Sequence, residues 1–454
     1  MKTILIILVL VLSQAALCAG VFPGSAWQSR RPIDAGLDSL KLVQIQNYLG
    51  GRGCIVRNGY MVYTWGNQSQ RTDVASACKP WFSTFLFKAV EDGKLSSVDE
   101  KVVNYWSCLN DLNASLGYKD RNITFRHMAN QISCYGVHEA PGTAFDYNDW
   151  QMALFWDILF THVYGATYST VDATVLHPLL TDIMQCQDNP TMMAFGTGDR
   201  PGRVGVSVRD FARFGLLYLN KGNWNGTQIM SEANAVKAVT EPLPNSIPRT
   251  TGQAASMCSD RRTIGSGTIP DNQTDHNGSY SWLWWLNGTD RNGYKVWPDA
   301  PDDVAACLGH ANGKRGMCFI PSMGIVMSWN DTKLDQYPAG PPHPLNTALE
   351  YLVQADANST APGTPQGFGA ISSETPAIHI FPNPFNPEVT IVTRIQSNLP
   401  ARVEMCDIAG RYIATLRLEN NTAVWNAGDN PSGTYIARMV QGGNSVSRMV
   451  TLRK

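Results

Sequence analysis

A stretch rich in glycine, proline and small polar residues divides this 454-residue chain into two unlike parts. Residues 358–369 read NSTAPGTPQGFG, a composition that favours an extended linker over a packed element. Before it, helical and strand patterns alternate; after it, short segments alternate apolar and polar residues between turn residues. We therefore expect a mixed α/β domain over 20–355, a linker over 356–375 and a small antiparallel β-sandwich over 376–454.

Length and charge narrow the classes of function. A chain this long exceeds one ordinary hydrophobic core, in agreement with more than one folding unit. Lysine and arginine number 36 against 37 acidic residues, which gives a net charge of -1 and no basic excess to attract nucleic acid or an anionic membrane surface. We expect a small-molecule or peptide-like substrate instead.

The N-terminus is typical of a secretory signal peptide, which we place over residues 1–19. Lys2 supplies positive charge, residues 4–12 form an unbroken apolar run, and small residues follow, with cleavage expected after Cys18 or Ala19. Lipidation at Cys18 is the alternative. The apolar run is too short for a permanent anchor and no later segment is longer, so we expect an exported protein without a transmembrane segment.

Export into an oxidising compartment sets the expected state of the cysteines. Nine remain after the signal peptide: Cys54, Cys78, Cys108, Cys134, Cys186, Cys258, Cys307, Cys318 and Cys406. We expect several disulfides, with at least one free thiol because the number is odd. Cys307 and Cys318 are the pair expected to face each other across a hairpin. No pair has CxxC spacing and the histidines lie elsewhere, so we expect no metal and no cofactor.

Turn and helix signals mark the start of the large domain. Two β-rich runs flank Asn58-Gly59, the strongest short-range signal for a β-hairpin. Apolar residues then recur at helical spacing from Trp81 to Gly93, where the glycine ends the helix.

The remainder of the domain predicts inserted helices and a return to strands. Residues 100–235 are expected to be mostly helical, with Ser207 capping the clearest amphipathic helix. Residues 280–329 again have strand character. One sheet built from both ends, with helices between, gives an α/β lobe and a helical lobe whose junction is a natural cleft.

Ser76 and Lys79 are the pair of residues with the clearest chemistry. If a helix begins at Ser76, the i to i+3 spacing places both side chains on one face. A serine hydroxyl needs a neighbouring base, and a lysine serves as one only when its surroundings favour the neutral amine. A helix cap at Ser76 with a solvated Lys79 is the alternative, and the tetrapeptide alone does not exclude it.

The residues around this pair resemble the serine β-lactamase and penicillin-binding superfamily. Ser76-x-x-Lys79 leads into an apolar helix and then EDGKLSSVDEKV, similar to the family's GKLSLDDKV; the ordered stretches that follow are NITFRHM at 122–128, PGTAFDYND at 141–149 and SVRDFARFG at 207–215. The resemblance covers about residues 35–345. It is closest to the branch of class C β-lactamases, esterases and D-aminopeptidases. It implies an antiparallel sheet flanked by helices plus a helical lobe, with Ser76 as nucleophile.

The resemblance also implies roles for Tyr147 and Asp149. Tyr147 falls where the family has a phenolate-like base or a proton relay to the leaving group. Asp149 stands where the family often has asparagine, and a carboxylate beside Lys79 would hold the lysine protonated. We infer from this that Tyr147 carries most of the base function. A buried core tyrosine is the alternative for Tyr147.

The family's third motif, K-T-G or H-x-G, is expected within LGHANGKRGMCFIP at 308–321. His310 is the aligned residue, with a structural turn histidine as the alternative. Asn312 replaces the usual glycine beside the substrate. The backbone amides of Gly313 and Ser76 are the expected oxyanion donors.

These differences from the family's motifs bear on which substrate the protein would take. Penicillin recognition needs a cation for the drug's carboxylate, and a neutral His310 supplies it poorly, so we rank ester or amide hydrolysis above β-lactam turnover. The tryptophan-rich run SWLWW at 281–285 has two uses, core packing or an aromatic substrate pocket, of which core packing is favoured.

The tail resembles the C-terminal sorting domain of type IX secretion. The matching stretches are FPNPFNPEVTI at 381–391, CDIAGR at 406–411, WNAG at 425–428, SGTY at 432–435 and the basic ending VTLRK. The resemblance implies the type IX machinery as partner and a final place outside the cell or on the surface of a Gram-negative-type bacterium, reached through the periplasm. An immunoglobulin-like accessory domain without a sorting role is the alternative.

Together these features predict a secreted serine hydrolase that cleaves an ester or amide bond through a Ser76 acyl-enzyme. A β-lactamase or D-peptidase acting on cell-wall-related substrates is an alternative within the same chemistry. A non-catalytic penicillin-binding-like sensor or binding module is an alternative from another class.

Overall fold

The computed structural model divides the chain into two compact units, Met1–Pro362 and Gly363–Lys454. The structure describes residues 21–195, 200–356, 377–381, 385–394, 401–408, 411–419, 422–441 and 444–454. The predicted signal peptide over 1–19 and nearly all of the predicted linker over 356–375 lie outside the described residues.

The first unit is built on a seven-stranded antiparallel sheet. Its order is β2-β1-β12-β11-β10-β9-β8, so strands from both ends of the domain share one sheet, as predicted. The strands of this unit are β1 Arg52–Arg57, β2 Tyr60–Trp65, β3 Thr72–Asp73, β4 Thr191–Ala194, β5 Pro201–Val206, β6 Asn223–Trp224, β7 Thr227–Gln228, β8 Tyr280–Ser281, β9 Trp284–Leu286, β10 Ala305–Gly309, β11 Arg315–Ile320 and β12 Ile325–Asn330.

Helices cover the sheet and form the helical lobe. The α-helices are α1 Ser39–Leu49, α2 Lys79–Glu91, α3 Phe125–Ala129, α4 Asp149–Trp156, α5 Val208–Leu219, α6 Glu232–Ala238 and α7 Leu345–Ala355. Two π-helical segments, Asp157–Val163 and Asp172–Thr181, extend the helical lobe. Both α2 and α5 lie in the larger apolar core on one face of the sheet, whereas α1 and α7 pack in a second core.

Local sequence signals fix several of these elements. Asn58 and Gly59 both take positive φ, 50° and 84°, as a two-residue hairpin turn requires, so the predicted hairpin is confirmed. The Ser207 side chain accepts the Asp210 N–H and caps α5, also as predicted.

The middle of the domain is less helical than predicted. Strands β4 and β5 join β3 in a separate sheet of order β3-β5-β4. Every residue of β5 is buried although the strand contains proline and glycine, which weaken a strand signal in the sequence. Burial by the surrounding protein, rather than local propensity, determines this strand.

The predicted pairing of Cys307 with Cys318 is wrong. Cys318 lies opposite Ala306, and Cys307 lies opposite Met317, so the two cysteines differ by one residue in register. Successive side chains of a strand point to opposite faces, and the two thiols are buried in different cores. The disulfide within the described residues joins Cys108 and Cys258.

The second unit is all-β. Its strands are β13 Ala377–Phe381, β14 Glu388–Arg394, β15 Ala401–Asp407, β16 Tyr412–Leu416, β17 Thr422–Asn426, β18 Gly433–Gln441 and β19 Asn444–Leu452. They form two antiparallel sheets, β13-β14-β17 and β16-β15-β18-β19. Trp425 and other buried side chains form its own core, so the predicted small antiparallel β-sandwich is confirmed.

Candidate active site

Ser76 lies on a short, strained turn at the start of α2. A 3₁₀ turn, Ala75–Cys78, runs directly into the helix, and the Asp73 carboxylate accepts the Ala75 N–H at 2.7 Å. Ala75 has a φ of 53°, which a residue with a β-carbon adopts at a cost. Ser76 is half-buried and its N–H belongs to the first turn, where helical amides have no carbonyl partner.

The Lys79 ammonium connects the predicted catalytic side chains. Its Nζ lies 2.9 Å from Ser76 Oγ, 2.8 Å from the Tyr147 hydroxyl and 2.7 Å from Asp149 Oδ1. The lysine side chain is 1 % exposed, so these oxygens replace water around the charge. An ammonium has three N–H donors, and here each faces an acceptor. The structure therefore brings Ser76, Lys79, Tyr147 and Asp149 together.

Asp149 is ionised within a buried ion pair. Asn148 caps α4 by accepting the Trp150 and Gln151 amides, which places Asp149 as the first residue of that helix. Burial alone would raise the pKa of Asp149. The charge of Lys79 and hydrogen bonds to the carboxylate outweigh that effect and hold the pKa below its usual range.

Tyr147 is surrounded by aromatic rings. Trp285 stacks on it with a centroid distance of 6.0 Å, and Tyr280 meets it edge-on at 6.0 Å. Burial raises the pKa of Tyr147 well above its usual value, and the negative charge of Asp149 raises it further. The phenol therefore stays protonated, which weighs against the phenolate-like base and favours the proton relay.

A segment that the sequence analysis missed covers Tyr147 and Asp149. We call residues 258–273 the strap. The Ser266 N–H donates to Asp149 Oδ2 at 3.1 Å, the Asp271 carboxylate accepts the Asp149 N–H at 2.6 Å, and the Gln273 N–H donates to the Tyr147 carbonyl at 3.2 Å. The strap has no regular secondary structure, so periodicity gives no signal for it.

The third motif places Gly309 against the nucleophile's turn. A β-carbon on Gly309 would lie 2.2 Å from the Val74 carbonyl oxygen and 3.2 Å from the Ala77 nitrogen, so this position has room for glycine alone. His310 follows with a φ of 67° and is exposed. Partial desolvation lowers the pKa of His310, and the charge of Arg315 lowers it further.

Asn312 and Gly313, predicted to contact substrate, have structural contacts instead. The buried Asn312 amide donates to the backbone carbonyls of Leu334 and Tyr337, which fixes the turn between β10 and β11. The Gly313 N–H, predicted as an oxyanion donor, donates to the His310 carbonyl at 3.3 Å.

Two arginines lie near the turn that carries Ser76, and of these Arg203 was missed in the sequence analysis. Arg203 on β5 donates to Asp73 Oδ2 at 2.7 Å, and Arg315 on β11 donates to the Asp73 carbonyl at 2.7 Å. The two guanidinium groups carry two positive charges against the single negative charge of the Asp73 carboxylate. The Arg315 Nε is buried without a hydrogen-bond partner among the described residues.

The tryptophan-rich run serves mainly as core. Trp282 packs on Phe87, and Trp284 packs among aromatic rings of α5 and β11. Trp285, which is half-buried, instead stacks on Tyr147. Core packing is thus confirmed for two of these residues, and Trp285 is the one beside the candidate site.

Neither a metal cluster nor a membrane-spanning helix appears in the part of the chain that the structure describes. No three His, Cys, Asp or Glu side chains there meet in an arrangement that could hold a metal ion. Among the same residues no helix combines the length and apolar character needed to cross a bilayer.

Comparisons with known proteins give one family match, to the tail, and several similar solved structures for the larger part of the chain. Residues 379–453 match the family model of the secretion system C-terminal sorting domain, which points to secretion. No curated protein matches the chain. A candidate 6-aminohexanoate-dimer hydrolase from Bacillus anthracis is similar at 15 % identity and a TM-score of 0.48, over 72 % of this chain and 87 % of that one.

Two further solved structures are similar to the same part of the chain. A class C β-lactamase in complex with cefoxitin shares 14 % identity with a TM-score of 0.45, over 71 % of this chain and 98 % of that one. A penicillin-binding protein homologue from Caulobacter crescentus has the same identity and TM-score, over 72 % and 98 %. The structural neighbours are thus serine β-lactamase-like and penicillin-binding-like proteins, as the motifs predicted. At this level of likeness the chemistry has to follow from the site's own geometry.

Proposed function

We propose that residues 20–355 form a secreted serine hydrolase that cleaves an ester or amide bond through an acyl-enzyme on Ser76. One observation carries the proposal: the buried Lys79 ammonium lies within 2.9 Å of Ser76 Oγ, the Tyr147 hydroxyl and Asp149 Oδ1 at once. A nucleophile, a proton carrier and a proton acceptor are thereby connected without water between them.

Acylation can proceed along this connection without changing the number of charges, because the negative charge of Asp149 passes to the substrate oxygen while Lys79 stays positive. Ser76 Oγ attacks the carbonyl carbon while its proton passes to Lys79 Nζ and a lysine proton passes to Asp149. The carbonyl π electrons move to the oxygen. The Ser76 N–H at the start of the helix donates a hydrogen bond to the resulting oxyanion.

Collapse of the tetrahedral intermediate breaks the bond to the leaving group. That group takes the Tyr147 proton, Tyr147 is reprotonated by Lys79, and Asp149 returns its proton to Lys79. The net movement is one proton from the serine to the leaving group. Water then releases the acyl group by the same steps in reverse.

Arg315 favours a second candidate within the same chemistry, a β-lactamase or D-peptidase. A substrate carboxylate needs a cation near the nucleophile, and the lowered pKa of His310 makes that residue a poor source of one. Arg315 lies beside His310 and contacts Asp73, three residues from Ser76. An acidic acyl donor is therefore compatible with this site through the arginine.

Labelling of Ser76 tests the proposal. The mature protein is mixed with a fluorophosphonate probe, a p-nitrophenyl ester and a penicillin, and intact mass is followed. Adduct formation and turnover should be lost in Ser76→Ala. They should persist in Ser83→Ala, a matched control on the same helix whose buried hydroxyl donates only to the Pro80 carbonyl. A folded wild type without adduct would instead favour a non-catalytic binding module, and one that acylates once and stalls would favour a sensor.

We also propose that the tail directs export by the type IX machinery and that the hydrolase ends outside the cell. The match of residues 379–453 to the sorting-domain family supports this. A chain truncated after residue 376 should remain in the periplasm of a host that has this machinery, whereas the full chain should reach the medium or the cell surface. Equal distribution of the two chains would contradict the proposal.

A further inference from the structure

One end of the strap is tied by a disulfide, and its middle contacts the catalytic carboxylate. Cys258, at the start of the strap, is bonded to Cys108, 150 residues earlier in the 3₁₀ turn Ser107–Asn110. The Cys258 N–H also donates to the buried Tyr135 hydroxyl at 3.0 Å. This end of the strap is therefore fixed to the helical lobe.

The middle of the strap fits closely over Asp149. The Ile264 N–H donates to the Asp149 carbonyl at 3.3 Å, and the Ser266 N–H donates to its carboxylate. A β-carbon on Gly265 would lie 2.2 Å from Asp149 Oδ2, so the strap approaches the carboxylate as closely as glycine allows.

Asp271 completes the arrangement from the far end of the strap. This aspartate is 5 % exposed, and its Oδ2 accepts the Asp149 N–H at 2.6 Å and the Gln273 side-chain amide at 3.1 Å. Asp271 does not contact Ser76, Lys79 or Tyr147 through any hydrogen bond within the described residues. Its effect on the site therefore passes through Asp149.

We propose that Asp271 and the Ser266 amide are positioning groups for Asp149, and that the Cys108–Cys258 disulfide makes this positioning dependent on redox state. The inference rests on the proposed function for its effect on activity. With the disulfide closed, the strap holds Asp149 within 2.7 Å of Lys79. With it open, the start of the strap keeps only non-covalent contacts, among them the Cys258–Tyr135 hydrogen bond and the Arg262–Asp157 ion pair, and Asp149 is held less firmly.

Opening requires a reductant, which we take to be an external dithiol. Its thiolate attacks one sulfur of the disulfide and forms a mixed disulfide while the other cysteine leaves as a thiolate. The second thiol of the reductant closes a cyclic disulfide and releases the remaining cysteine. Two electrons move from the dithiol to the protein, and each cysteine ends as a thiol after protonation.

Amide hydrogen exchange tests the positioning independently of catalysis. In Cys108→Ala/Cys258→Ala, amides of the strap and of residues 147–152 should exchange at least tenfold faster than in the wild type, while those of α7 should not change. Wild-type protein reduced with dithiothreitol should match the double variant, and dithiothreitol should not alter the double variant itself. Unchanged exchange at 147–152 in the double variant would overturn the proposal even if no substrate were ever found.

Acylation kinetics provide the second readout. The double variant and Gly265→Ala should each react with the fluorophosphonate probe at least tenfold more slowly, and their ester hydrolysis should lose kcat with little change in KM. Asp271→Leu should lose more activity than Asp271→Asn, which keeps an acceptor for the Asp149 amide. Equal losses in the two Asp271 variants would show that the residue has only a packing role.

A matched control separates positioning from general loss of stability. Arg57→Ala removes a buried ion pair with Asp356 elsewhere in the domain. It should lower Tm without slowing acylation at temperatures where the variant is folded. If Arg57→Ala slowed acylation as much as the double variant, the strap would have no special connection to the site and the proposal would be wrong.

Discussion

Replacing Asp149 by asparagine should move the pH range in which the proposed hydrolase works. In the wild type the ion pair with Lys79 holds the pKa of Asp149 below its usual range. Asp149 can therefore accept a proton from Lys79 during acylation at any pH above that lowered value. The acid limb of kcat/KM is expected below about pH 4, which is near the ordinary value for an aspartate.

The size of the shift follows from the loss of a buried partner. Removing one member of a buried ion pair costs about 3–5 kcal/mol because the other charge is left uncompensated. At about 1.36 kcal/mol per pH unit, that free energy corresponds to roughly 2–4 pH units in the position of the acid limb. In Asp149→Asn the lysine must lose its proton before it can accept the proton of Ser76. The acid limb should then lie roughly 2–4 pH units above that of the wild type.

The assay is the pH profile of ester hydrolysis, with fluorophosphonate labelling to confirm that Ser76 remains reactive. Asp146→Asn is a matched control, since Asp146 is a buried neighbouring carboxylate that accepts from Asn148 and not from Lys79. Its acid limb should stay where the wild type has it. An Asp149→Asn enzyme with an unshifted acid limb would refute the proton path through Asp149.

Stability should change with pH in the opposite sense at Asp149 and Asp146. A lowered folded-state pKa at Asp149 contributes stability above the unfolded value, which is lost as pH falls through the folded value. Burial raises the pKa of Asp146 to about 6, so this group favours the folded state at low pH and the contribution is lost as pH rises from about 4 to 6. Between about pH 4 and pH 6 the free energy of unfolding should fall by up to about 3 kcal/mol less in Asp146→Asn than in the wild type, as measured by denaturant titration. An equal fall in the two proteins would contradict the raised pKa of Asp146. Tyr147→Phe keeps the ring contacts but removes the relay, so amide hydrolysis should fall at least tenfold more than hydrolysis of an activated aryl ester; equal losses would argue against the relay. Gly309→Ala should slow acylation at least 100-fold, because the added methyl group would push the turn that carries Ser76 away from β10. The rate of probe labelling on folded protein measures this effect. A normal rate would show that the turn can adjust.

The parts of the structure that the sequence predicts are those determined by neighbours along the chain. A two-residue turn with positive φ identifies the hairpin at Asn58-Gly59, because few residue pairs adopt that geometry. The cap at Ser207 is equally local. The Ser76 and Lys79 pair is predicted because a helix places residues three apart on one face. Its connection to Tyr147 and Asp149 came from the family resemblance, and the structure brings all four side chains together.

The parts that the sequence does not predict depend on register and on distant contacts. A hairpin was expected for Cys307 and Cys318, and it exists, but an offset of one residue puts the thiols on opposite faces of the sheet. The pairing of Cys108 with Cys258 spans 150 residues and leaves no trace in local spacing. The strap has neither helical nor strand period, so its contacts with Asp149 become apparent only when the chain is folded.

Asp149 and the strap together explain how proton transfer at this site can differ from proton transfer at a site with asparagine in the same position. A carboxylate next to Lys79 stabilises the ammonium, which on its own would disable the lysine as a base. The same carboxylate can take a lysine proton while the lysine takes the proton of Ser76, so that Lys79 remains positively charged during the transfer. That exchange requires the two groups to stay in hydrogen-bond contact throughout the reaction. Ser266 holds the carboxylate of Asp149, and Asp271 holds its backbone N–H. A site that uses a carboxylate in this way therefore needs a rigid cover over it, and the disulfide-tied strap provides that cover.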